Sequence, residues 1–274
     1  MSNTLNIPIP GIKLLDFGSP GSGKTFGTRT IPKEFEVFYL FTENSQALIA
    51  DLPNAHWHYV SPMGSADWST LKAIATSINT LDNDKLQTSP IGKKREFTQW
   101  LEMIDALNNF KDDRTGEVFG DVCKWGTDRV LVLDGLTGIT KMSRSLQAGL
   151  KPLLTQPDFG VIMQNISFIL DFLTSNLKCH LVLIAHIEME KDEVSGLLYK
   201  NVSTIGRKLA PTIPGLFDDV VASEQVEGKF LWRTVDTRSV TKSRLLPLDS
   251  EMPHDYKLVF DAWKSKGGKV VATA

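Results

Sequence analysis

The sequence predicts an α/β fold built on a mainly parallel sheet, and three observations predict it. Short β-rich runs alternate with segments of helical periodicity. Two of the runs, residues 130–133 (VLVL) and 181–185 (LVLIA), are apolar without interruption, as strands buried on both faces are. A glycine-rich loop directly follows the β-rich run at 12–17.

Residues 12–17 (IKLLDF) read as the first strand, 36–41 (EVFYLF) as the second and 56–60 (HWHYV) as the third. Leu71, Ile74, Ile78 and Leu81 recur at helical spacing, and so do Phe97, Trp100, Leu101, Ile104 and Leu107. After the 130–133 strand comes a longer stripe: Ile162, Ile166, Ile169, Leu170, Leu173 and Leu177. It stops just before the 181–185 strand, as a crossover helix does. After Gly215 the texture changes to short strands at 217–221, 230–235 and 239–245, expected as an antiparallel extension of the sheet. Residues 85–94 and 111–127 read as loops, and 264–274 as a flexible C-terminal tail. Residues 1–263 are expected to form a single domain.

Composition excludes several classes. The 274 residues carry 30 Lys+Arg against 32 Asp+Glu, a formal charge of -2, with 42% hydrophobic and 23% charged residues. That is an ordinary globular balance, which argues against wholesale disorder. No apolar run approaches the ~20 residues of a membrane span, and the N-terminus has neither the basic nor the apolar region of a signal peptide. Cys123 and Cys179 form no metal-type spacing. A cytoplasmic protein with no membrane partner is the expectation. Near-neutral charge excludes a wholly basic coat but leaves room for a local basic strip.

Gly18-Ser19-Pro20-Gly21-Ser22-Gly23-Lys24-Thr25 matches G-x-x-x-x-G-K-[ST] in full, between a strand and a helix. Glycines let successive backbone N–H groups turn toward phosphate oxygens. Lys24 reaches the β- and γ-phosphates, and the Thr25 hydroxyl holds Mg²⁺. Asp134 ends an apolar strand and is the second expected Mg²⁺ ligand. ATP is the expected nucleotide, because no Asn-Lys-x-Asp guanine-reading motif occurs.

Asp134 is followed by Gly135 rather than Glu, so the residue that activates water must come from elsewhere. Glu43, just past the second strand, is the candidate. His186, after the 181–185 strand, is a candidate sensor of the γ-phosphate. Lys242 and Arg244 alternate along an apparent strand, so both side chains would share a face and act on a neighbouring subunit's nucleotide.

The order of these parts resembles the RecA/DnaB-like P-loop ATPase core: phosphate loop, Glu after the second strand, Asp without a following Glu, polar sensor, then Lys-x-Arg. More narrowly, the chain resembles the phage Sak-type single-strand annealing ATPases, through residues 18–25, 129–135, 183–188, 214–218 and 241–244. The resemblance spans roughly residues 10–250. It implies ATP-dependent binding and annealing of single-stranded DNA in recombination. It also implies a homo-oligomer, ring or filament, with ATP between subunits and a single-strand-binding protein as a further partner. No large oligomerisation domain precedes the phosphate loop, so full strand exchange is not expected. Carried over, the DNA-facing loops are 136–158 and 188–206. They bring Lys141, Arg144, Lys151 and Lys200, with Arg207 and Lys208 following, and Tyr199 as a ring that stacks or packs. A RecA-like helicase or packaging-accessory motor is the alternative enzyme, and a nucleotide-dependent interaction switch the alternative of another class.

Overall fold

A computed structural model describes residues 9–63, 67–82, 85, 97–149, 151, 153–191, 196–206 and 208–273. Eleven strands are formed among them: β1 (Lys13–Gly18), β2 (Glu36–Phe41), β3 (Ala55–Tyr59), β4 (Phe110–Lys111), β5 (Val118–Gly120), β6 (Arg129–Asp134), β7 (His180–Lys191), β8 (Leu198–Val202), β9 (Asp219–Val226), β10 (Lys229–Arg233) and β11 (Met252–Pro253). Nine of them make one sheet in the order β11-β10-β9-β1-β7-β6-β2-β3, with β8 paired to β7. The run from β9 to β3 is parallel throughout. The pairs β9–β10, β10–β11 and β7–β8 are antiparallel.

The two-residue period of the strands feeds two cores. Leu15, Phe17, Leu131, Leu133, Leu181 and Leu183 face one side of the sheet. There they meet α4 (Leu136–Ala148) and α5 (Gln156–Asn176) through Ile139, Met142, Ile162, Ile166 and Leu170. Leu14, Val130, Val132, Val182 and Ile184 face the other side, against Val259, Phe260 and Trp263 of α6 (Lys257–Ser265). Burial on both faces is why β6 and the first half of β7 read as unbroken apolar runs. α5 starts where Thr155 and Asp158 form a capping box with Pro157 in the first turn.

The C-terminal part differs from expectation. The strand foreseen at 217–221 runs Asp219–Val226 and is parallel to β1, with Leu14 opposite Asp219. Periodicity gives a strand's faces but not its direction. The antiparallel part is β10 and β11. Residues 239–245 form no strand and make only isolated bridges, Lys200–Ser239 and Val220–Lys242. The 111–127 loop holds a β4–β5 hairpin and a short 3-10 turn, and most of 85–94 lies outside the described residues.

The expected tail is docked. Lys264 and Ser265 belong to α6. Val271 and Thr273 then hydrogen-bond with Gly126, Thr127 and Asp128, which precede β6. The helical stripe at 71–81 becomes α2 (Trp68–Thr80), but Leu71 and Ile78 are 41% and 40% exposed, so it is not core. In α3 (Gln99–Asn108), Trp100 and Leu107 are buried with Met103, whereas Leu101 and Ile104 face outward. No helix among the described residues is long and apolar enough to cross a membrane.

Parallel pairing brings the ends of four strands to one edge. Gly18 stands opposite His186, Ile184 opposite Asp134, and Asp134 opposite Phe41. Ligands of open α/β sheets bind at this C-terminal edge.

Candidate nucleotide site

The phosphate loop leaves β1 at Gly18 and enters α1 (Lys24–Gly27), a single turn that continues as a 3-10 turn through Thr30. Ile31-Pro32 ends it, since proline cannot supply the next N–H. Gly23 has φ 87 and its Cα lies against the ring of Phe230, so both conformation and space require glycine. Lys24 is buried. Its Nζ donates to the carbonyls of Gly18 (2.9 Å) and Ser19 (2.8 Å) and to Ser22 Oγ (3.3 Å). Burial lowers its pKa, and Asp16, Asp134 and Glu43 pull it back up.

Thr25 Oγ1 donates to Asp134 Oδ2 at 2.7 Å, joining residues 109 apart in sequence. Burial pushes the Asp134 carboxyl up to about 6, opposed by that hydrogen bond. Hard oxygen donors this close fit a divalent cation such as Mg²⁺, which would restore the ionised form.

Glu43 lies past the end of β2, at the same sheet edge. His186 Nε2 is 3.3 Å from Glu43 Oε2. That contact, with His186, Lys141 and Lys24 nearby, holds the Glu43 carboxyl below the usual range despite desolvation. His186 Nδ1 is buried without a partner among the described residues. A cleft of about 320 Å³ is lined by Lys24, Thr25, Asp134 and His186, with Phe26, Leu48, Gly21 and Gly23.

Gly135 explains why no Glu follows Asp134. Its φ is 117, and a Cβ there would come 2.3 Å from Thr42 Oγ1. Thr42, which the sequence reading missed, is buried and donates to the carbonyls of Asp134 (3.2 Å) and Gly135 (2.7 Å), locking the ends of β2 and β6 together. Gly135→Ala is therefore expected to cost about 2 kcal/mol or more of stability, through strain and displacement of Thr42. Denaturant unfolding measures it, and a wild-type midpoint would refute the account of this glycine.

A second missed group sits beneath the loop. Asp16 is fully buried in β1; its carboxylate accepts from Ser223, from Tyr256 Oη (2.8 Å) and from Trp232 Nε1 (3.3 Å), with His254 Nε2 at 3.2 Å. Burial raises its pKa, but His254, Ser223 and Tyr256 together hold it below the ordinary value. An acid inside an otherwise apolar strand was the legible signal.

The other expected residues lie elsewhere. Lys242 Nζ donates to Phe217 O at 2.6 Å, and Arg244 pairs with Asp218 at 2.6 Å. Both sit where β9 begins, at the edge opposite Lys24, and not on a shared strand face. Of the expected DNA contacts, Lys151 pairs with Asp158 (2.8 Å), and Arg144 donates to Lys151 O (3.3 Å) with its Nε buried. Lys200 is held by Glu224 and by Asp236 (3.2 Å). A sequence shows these charges but not the partners that neutralise them. Lys141 and Lys208 are exposed, Tyr199 lies half-buried in β8, and Arg207 lies outside the described residues.

No protein-family model matches the chain, and no curated protein matches it in sequence. Among the solved structures similar to it at low level is the pCW3 conjugation coupling protein TcpA in monomer form with ATPγS: 10% identity, TM-score 0.33, covering 94% of this chain and 65% of that one. Another is Thermomonospora curvata EccC, ATPases 2 and 3, with a signal sequence peptide: 12% identity, TM-score 0.30, covering 96% of this chain and 44% of that one. The chain thus spans less than two thirds of either.

Proposed function

We propose that the chain binds Mg-ATP in this cleft and hydrolyses it, and that the hydrolysis serves binding and annealing of single-stranded DNA in recombination. The observation that carries the ATPase reading is the 2.7 Å contact between Thr25 and Asp134 beside Lys24, with His186, the partner of Glu43, lining the same cleft. The loop N–H groups and Lys24 would hold the phosphates, and Thr25 and Asp134 would hold the metal. Mg²⁺, when bound, supplies charge neutralisation for the β- and γ-phosphates. Glu43 orients the attacking water and accepts its proton, and His186 positions Glu43. Lys24 is the one lysine or arginine among the cleft's described lining residues. Further positive charge at the γ-phosphate would come from a neighbouring subunit, which is the role proposed for Lys242 and Arg244 in a homo-oligomer.

The DNA reading rests on the ordered motifs. One observation favours the alternative of a nucleotide-dependent switch: Arg144, Lys151 and Lys200 spend their donors inside the protein. Phosphate release measured with and without single-stranded DNA separates the two. Stimulation of severalfold is expected. A slow rate indifferent to DNA at any ionic strength would remove the DNA reading and leave the switch.

A further inference from the structure

The phosphate loop carries an aromatic neighbour that none of the motifs assigns. β9 and β10 are joined by a tight turn at Glu227 (φ 50) and Gly228 (φ 78). Across it Phe230 pairs with Gln225, whereas Gly18, the last residue of β1, pairs with Ser223. Phe230 therefore stands two residues beyond the level at which β1 becomes the loop. Its ring packs on Gly23: a Cβ there would lie 2.7 Å from Cδ1 and 2.8 Å from Cγ. Trp232, on the same strand face, is wholly buried, yet Phe230 is 37% exposed. An apolar ring is thus left partly open beside a phosphate cradle.

The strand order gives the cradle a direction. Asp134, Glu43 and His186 come from β6, β2 and β7, all on one flank of β1. They mark where the metal and terminal phosphate belong. β9 and β10 stand on the other flank. A triphosphate lying along the loop with its γ end at Asp134 carries its nucleoside toward Phe230.

We infer that Phe230 is the platform on which the nucleotide base stacks. The inference rests on the Mg-ATP reading above and adds how the base is selected. A phenyl ring offers a π-face and no hydrogen-bonding group. It therefore favours large purines over pyrimidines without reading their exocyclic groups. Phe26, 52% exposed on the metal-side cleft, is the rival platform.

The test is equilibrium binding of Mg-ATP, Mg-GTP and Mg-tripolyphosphate to the full chain. Phe230→Leu still fills the contact with Gly23 but has no ring. It is expected to lose about tenfold in affinity for both nucleotides and none for tripolyphosphate, since one stacked base is worth that much. Phe230→Trp should keep nucleotide affinity, and Phe26→Leu should leave the ratio of ATP to tripolyphosphate affinity unchanged. An unchanged ratio of ATP to tripolyphosphate affinity in Phe230→Leu would overturn the inference. So would equal losses for all three ligands, or a nucleotide-specific loss found only in Phe26→Leu. Wild-type protein that binds neither ATP nor tripolyphosphate would overturn the Mg-ATP reading itself.

Discussion

Lys24→Ala is expected to lose at least about a hundredfold in kcat/KM for ATP while unfolding near the wild-type midpoint. Removal of a single preorganised donor to developing charge costs about that much in other enzymes. Lys24 is the one lysine or arginine lining the cleft among the described residues, so no other residue of the lining supplies the same charge. The fold should survive. The side chain lies beside the loop and not between the two cores, and one of the two carbonyls it leaves belongs to the exposed Ser19. Steady-state hydrolysis beside a thermal melt checks both halves. A folded variant with wild-type turnover would show that phosphate is not held here.

Glu43→Gln should keep Mg-ATP affinity within a few-fold and lose about 10²–10⁴ in kcat. The amide retains shape and position but cannot take a proton. The low pKa of Glu43 sharpens the expectation. A carboxylate stabilised by His186 is ionised throughout neutral pH and is a weak base, so much of its effect must come from orienting water. The loss should therefore fall toward the lower end of that range. Single-turnover hydrolysis separates the chemical step from binding. Normal turnover in Glu43→Gln would assign the role to another group.

The phosphate loop, Asp134, Glu43 and His186 were legible because strand periodicity and parallel order dictate which strand ends meet. The apolar runs at 130–133 and 181–185 announced central strands, and a residue just past such a strand lies at the ligand edge whatever its loop does. Direction was not legible: the run at 217–221 looked antiparallel and is parallel to β1. The basic residues were the least legible. Lys200 meets Glu224 and Asp236 only because β8, β9 and the loop after β10 converge, and no local pattern encodes that. Lys242 and Arg244 looked like alternating strand residues, yet only a single bridge forms at Val220–Lys242. Thr42 and Phe230 act through contacts with glycines far away in sequence, Gly135 and Gly23. They became visible only once those glycines had neighbours.

The central claim is that one cleft, formed by the 18–25 loop and the ends of β2, β6 and β7, holds Mg-ATP. Calorimetric titration of Mg-ATP into the Glu43→Gln chain tests it most directly, because binding is then read without turnover. Saturable binding of one nucleotide per chain is expected, weakening strongly when Mg²⁺ is withheld and disappearing on adding Lys24→Ala. Binding that is absent from a folded Glu43→Gln chain, or that persists unchanged with Lys24→Ala, would contradict it.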